Sequence, residues 1–151
     1  MSPRPYRLEF YEEASGDAPV ERWLQKLSTI ERYALGSALD GLLQRIGPEL
    51  AMLRPQYCSS LGAGLYEFRL EDVSEELLRQ LGKKARKALV RVPIKALFRV
   101  FFHPHGNRLL LLLAAYDKAK QPSPAYQNKQ IGLARKRLTD WQARQRRRRS
   151  P

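Results

Sequence analysis

Eight consecutive apolar residues, Leu109-Leu-Leu-Leu-Leu-Ala-Ala-Tyr116, constrain the fold of this chain more than any other feature. The run is far too short to cross a bilayer, which takes about 20 residues. A turn, Pro104-His-Gly-Asn107, precedes it closely, so a strand is the natural reading. Alternate residues of a strand point to opposite faces, and here both faces are apolar. Such a strand belongs in the middle of a sheet, covered from both sides.

The remaining segments supply its neighbours. Tyr6 to Tyr11 alternates and is rich in aromatic residues, which predicts an opening strand. Leu65 to Leu70 sets Tyr66, Phe68 and Leu70 on one face and Glu67 and Arg69 on the other. Leu97 to His103 repeats that design, with Phe98, Val100 and Phe102 opposed to Arg99 and His103. Between the first two strands, Asp17 is placed to cap a short helix carrying Val20, Trp23, Leu24 and Leu27. Ser28-Thr-Ile-Glu31 is a capping box opening a second helix, with Leu35, Leu39, Leu42, Leu43 and Ile46 on one face and a stop at Gly47-Pro48. Ser123-Pro124 predicts the start of a last helix carrying Ile131, Ala134, Leu138 and Trp141. The fold expected is α+β: a small, mostly antiparallel four-stranded sheet packed against an N-terminal helical hairpin, with a C-terminal helix. A helical insertion, 72–96, separates the second and third strands, opened by the capping box Asp72-Val-Ser-Glu75.

With 151 residues and 43% hydrophobic content, residues 1–143 are read as one domain and 144–151 as a basic, disordered tail. The single cysteine, Cys58, excludes an internal disulfide, and MSPRPYRLEF has no apolar run of the signal-peptide kind. A cytoplasmic protein without membrane contact is expected. The net charge of +13 is unevenly spread, with 7 Lys+Arg against 8 Asp+Glu in residues 1–60 and 21 against 7 in residues 61–151. That asymmetry points to a polyanionic partner, whose phosphates such a surface engages with release of counterions.

Residues 61–69, Leu-Gly-Ala-Gly-Leu-Tyr-Glu-Phe-Arg, resemble a strand segment of the HigB-like branch of the RelE/ParE toxin superfamily. Phe98-Arg-Val-Phe-Phe102, Tyr116-Asp-Lys118 and the segment Ala134 to Leu138 are similar to later segments of that branch, in the same order. The insertion 72–96 is a departure, as are Ala114, Ala115 and Ala119 where relatives carry a histidine and a second lysine. The resemblance implies the toxin of a type II toxin–antitoxin system, a ribosome-dependent mRNA endoribonuclease that inhibits translation. Its implied partners are a helix-turn-helix antitoxin, mRNA and the ribosome, and it implies no cofactor or metal.

Cleavage by a ribose 2′-hydroxyl needs cations aimed at the charge growing on phosphorus, and a group to move protons. Arg69 and Arg99, each opposite the apolar face of neighbouring strands, fit the first need. Lys118 corresponds to a third basic position of the family's site, and Tyr126 to a tyrosine used for stacking or proton movement. Glu67 shares the face of Arg69 as a base or an ion-pair partner. Lys83, Lys84, Arg86 and Lys87 in the insertion, and Arg146 and Arg147 in the tail, are candidates to grip RNA phosphates. His103 and His105 flank Pro104 and are read as turn residues, because two histidines alone do not make a metal site. Cys58 is read as packing. Two other functions remain open: a ParE-like DNA gyrase inhibitor, since one fold hosts both activities, and a non-catalytic nucleic-acid-binding protein.

Overall fold

A computed structural model describes residues 5–71, 83 and 96–149. The chain is α+β, as expected, but the sheet is five-stranded and mixed. Strand β1 (Arg7–Phe10) leads into helix α1 (Pro19–Gln25) and helix α2 (Thr29–Ala38). Helix α2 continues through a π turn (Leu39–Leu43) into α3 (Gln44–Ile46), a 3₁₀ turn (Gly47–Glu49) and the short α4 (Leu50–Leu53). Strands β2 (Cys58–Gly62), β3 (Leu65–Leu70), β4 (Phe98–His105) and β5 (Leu109–Asp117) follow, and helix α5 (Pro124–Arg149) ends the described chain.

The strand order is β1-β5-β4-β3-β2. Strands β2 to β5 form an antiparallel meander, and β1 joins its far edge parallel to β5. The chain therefore crosses the whole sheet between β1 and β2, and α1 to α4 make that crossing. Strand β5 is covered on both faces as its apolar run predicts, lying inside the sheet between β1 and β4, although the middle position belongs to β4. Leu110 and Leu112 are buried in one core layer with Leu35, Leu42, Leu43, Phe68, Phe98 and Phe102. Leu111 and Leu113 are buried in a second layer, on the opposite face, with Phe101, Ala134, Leu138 and Trp141 of α5.

Four sequence expectations need correction. Strand β2 was not expected, because Cys58-Ser-Ser-Leu-Gly62 is short and polar. It forms by pairing with β3, and Ala63 and Gly64, both at positive φ, close the hairpin as a primed turn requires. In place of a simple two-helix hairpin, the crossing segment is broken by the π and 3₁₀ turns. Asp17 does not cap α1; its carboxylate pairs with Arg22 at 2.7 Å, and Ala18 holds the cap position. The basic segment 144–149 is not a disordered tail but the last turns of α5. Arg144 holds it down: its guanidinium donates to Asp140 Oδ2 at 2.6 and 3.0 Å and to the Glu12 carbonyl, while Tyr11 donates to the same Asp140 oxygen at 2.7 Å. Of the segment 72–96, where a helix is expected, residues 72–82 and 84–95 lie outside the described residues.

Other local signals hold. Ser28 Oγ accepts from the Glu31 amide and Glu31 Oε1 from the Ser28 amide, both at 3.2 Å, completing the capping box. Ser123 Oγ accepts from the Tyr126 amide at 3.1 Å and caps α5. Gly47 ends the α2–α3 helical run at φ 72°, where a Cβ would run into the Tyr6 ring. Tyr6 is tied to the same place by its amide, which donates to the Gln44 carbonyl at 3.0 Å. Gly47→Ala combines a left-handed backbone with overpacking and is expected to destabilise the fold by about 2–5 kcal/mol. A urea unfolding midpoint unchanged from the wild type would contradict this account.

Candidate functional site

Cross-strand neighbours share a face of the sheet, so the register fixes what faces α5. Glu67, Phe101 and Ala114 form one row across β3, β4 and β5, and Arg69, Arg99 and Tyr116 form the next. Phe101, Ala114 and Tyr116 belong to the core layer beneath α5, so the whole strip lies on that side. Under the body of α5 the face is apolar. At its first turn the face turns polar: Gln127 meets Glu67 and Tyr126 meets Tyr116, in the two rows that also hold Arg69 and Arg99.

Arg69 and Arg99 stand directly opposite each other on β3 and β4. Like charges in that position repel, and each guanidinium has its own carboxylate. Arg69 Nη1 donates to Glu67 Oε1 at 2.8 Å, and the guanidinium also donates to the Pro55 and Gln56 carbonyls. Arg99 is buried and donates to the half-exposed Glu71 carboxylate, and through Nη1 to the Phe98 carbonyl at 3.1 Å. Glu67 is buried as well, and its second oxygen accepts from Gln127 Nε2 at 3.0 Å. The site thus holds two cations neutralised by two carboxylates. Glu71 is the more accessible of the two carboxylates, so it is the one an anionic ligand displaces more readily.

Two tyrosines complete the group. The rings of Tyr116 and Tyr126 lie 5.2 Å apart, and Tyr116 stacks on Phe101 at 6.3 Å. Tyr116 is 3% exposed, and its hydroxyl is buried without a hydrogen-bond partner among the described residues. Burial pushes its pKa above the usual tyrosine value, against the opposing pull of Arg99, so the hydroxyl stays protonated.

The structure therefore brings Glu67, Arg69, Arg99 and Tyr126 together. Lys118 follows directly after β5, its amide donating to the Leu97 carbonyl at 2.7 Å. Lys83 is exposed, and Lys84, Arg86 and Lys87 lie outside the described residues. Arg146 and Arg147 are helical and 20 residues along α5 from Tyr126, about 30 Å away, so they serve a different surface. Sequence reasoning passed over Glu71, Tyr116 and Gln127. Glu71 was within reach, since it continues the alternation of Glu67 and Arg69. Tyr116 was hidden by the apolar run that it ends.

The other singled-out residues have structural settings. His103 and His105 lie in β4, which runs past Pro104, so they are strand residues and not turn residues; the turn is Gly106 to Arg108. His103 Nδ1 is 2.7 Å from the Gly64 carbonyl, and His105 sits edge-on to Trp141 at 4.7 Å. No group of three metal-ligating side chains occurs among the described residues. None of the helices among them is long and apolar enough to cross a membrane. A 430 Å³ groove lined by Tyr33, Gly36, Ser37 and Asp40 follows α2, on the face of the sheet away from the polar row.

No known protein-family model matches the chain, and no curated protein matches it in sequence.

Two outcomes follow from this geometry. Glu67→Ala strips Arg69 and Gln127 of a buried acceptor. Arg69 keeps two carbonyls and touches water, so the expected loss is about 2 kcal/mol, below the roughly 3–5 of a fully buried pair. Urea unfolding measures it, and a loss under about 0.5 kcal/mol would mean the pair is only a surface contact. Cys58 is fully buried, and burial pushes its thiol up to about 12. Since the thiolate is the reacting form, a disulfide reagent at pH 8 should label Cys58 in urea-unfolded protein but not in the native one. Rapid native labelling would place the thiol outside the core.

Proposed function

We propose that this chain is the toxin of a toxin–antitoxin pair, a RelE/HigB-like endoribonuclease that cuts mRNA on the ribosome and so acts in the cytoplasm. The observation that carries the reading is the Arg69–Arg99 pair, side by side on one sheet face, with Glu67 bound to Arg69 and Tyr126 packed on Tyr116, the cross-strand neighbour of Arg99. Four charged groups on a face otherwise covered by apolar packing carry a desolvation cost that neutral residues would avoid. A site for a phosphodiester accounts for that cost. The net charge of +13 favours association with a polyanion over the whole surface.

In the proposed reaction the ribose 2′-oxygen bonds to the adjacent phosphorus as the bond from phosphorus to the 5′-oxygen breaks. The 2′-proton passes to a base and the departing 5′-oxygen takes one up, leaving a cyclic phosphate and a free 5′-hydroxyl. Arg69 and Arg99 oppose the charge that grows on the phosphoryl oxygens, where a displaced Glu67 or Glu71 carboxylate is free to accept the proton. Tyr126, partly exposed on the first turn of α5, offers a ring for a neighbouring base. The proposed inhibitor is a helix-turn-helix antitoxin.

Expression of Arg69→Gln should relieve growth arrest, and RNA end-mapping in a translation extract should show cleavage reduced about a hundredfold. Its melting temperature, measured alongside, separates loss of the site from loss of the fold. Full arrest by a folded Arg69→Gln variant would remove Arg69 from the site. A wild type that blocks DNA supercoiling and leaves RNA intact would replace the ribonuclease reading with gyrase inhibition.

A further inference from the structure

Tyr116 is 3% exposed, and its hydroxyl has no partner among the described residues. A buried donor left without an acceptor costs about 1–3 kcal/mol. Packing does not require it: phenylalanine would keep the contacts with Phe101 and Tyr126 and carry no such cost. The position matters equally. Tyr116 lies directly across from Arg99, in the row that also contains Arg69, with Glu67 in the row beside it.

We propose that the Tyr116 hydroxyl donates a hydrogen bond to a phosphate oxygen of bound RNA, making Tyr116 a substrate-contacting residue beside Arg69 and Arg99. This rests on the ribonuclease reading above and adds a residue to it. An acceptor arriving next to the buried Arg99 guanidinium is favoured when it carries negative charge, which suits a phosphate oxygen. Burial keeps the hydroxyl protonated, so it approaches that oxygen as a neutral donor and adds no repulsion. The route is set by exposure. Glu71, half in water, is the movable partner of Arg99, and a phosphate that replaces its carboxylate takes over the guanidinium and meets the waiting hydroxyl. Among the described residues the hydroxyl thus has no acceptor in the free protein and gains one in the complex, a difference that strengthens binding.

The full-length Tyr116→Phe variant tests this against the wild type. Three quantities are read: the melting temperature, binding of a fluorescent 2′-O-methyl RNA hexanucleotide as a function of salt, and RNA cleavage in a translation extract. The expected result is a melting temperature equal to or above the wild type, with affinity and cleavage each reduced about tenfold. The salt dependence of binding should keep its slope, because no cation is lost. A variant that binds and cleaves like the wild type overturns the proposal and leaves the ribonuclease reading standing, with water as the hydroxyl's partner. A lower melting temperature makes the hydroxyl structural and also overturns it. A wild type that neither binds nor cleaves RNA overturns the ribonuclease reading, and the Tyr116 contact with it.

Discussion

Strand β5 is apolar on both faces, and the molecule is arranged to keep water from either. Leu110 to Leu113 are all fully buried, alternately in one core layer and the other. At about 1.5–3 kcal/mol each, these four leucines contribute about 6–12 kcal/mol, comparable to the whole net stability of an ordinary domain. Neither layer can be left open, so the chain covers one with the segment from α1 to α4 and the other with α5. Along its edges the strand is paired as well, with β1 on one side and β4 on the other.

The second cover sets where the polar group lies. Helix α5 has apolar side chains at Ile131, Ala134, Leu138 and Trp141, but near its start it brings Tyr126 and Gln127. Beneath that first turn the sheet face changes from Phe101 and Ala114 to Glu67, Arg69 and Arg99. The helix start and the charged strip fit each other: Gln127 bonds Glu67, and Tyr126 packs on Tyr116. At its other end, α5 is fastened to the sheet through Arg144, Asp140 and Tyr11, with the Arg144 guanidinium 5.3 Å from the Tyr11 ring centre. Arg137 and Arg135 add bonds to the Leu113 and Leu61 carbonyls at 2.7 and 2.9 Å. Fixed at several points, the helix holds its first turn over the charged strip.

Much of this was legible in the residues. Alternation located β1, β3 and β4 and assigned Arg69 and Arg99 to the face opposite the apolar one, because side chains of a strand must alternate, while the unbroken apolar run located β5. The Ser28–Glu31 capping box, the Gly47 stop and the Ser123 cap work through contacts within a few residues, so they could be placed from sequence. Strand β2 was not legible, since Cys58-Ser-Ser-Leu-Gly62 has no strand preference of its own and depends on β3 for its conformation. The helical state of residues 144–149 was missed for a similar reason. Six residues with five arginines look like a solvated tail until Arg144 finds Asp140 and the Glu12 carbonyl.

For the candidate site, the sequence by itself determined which residue types were present and on which side of each strand they lay. That much is fixed by the two-residue period of an extended chain. The tertiary structure decided who meets whom: that Arg69 stands across from Arg99, that each is held by a carboxylate, and that Tyr116 ends beside them with a hydroxyl that has no partner among the described residues. Those facts depend on strand register and on how much water α5 excludes. Both are set by contacts between residues tens of positions apart, which no local pattern records.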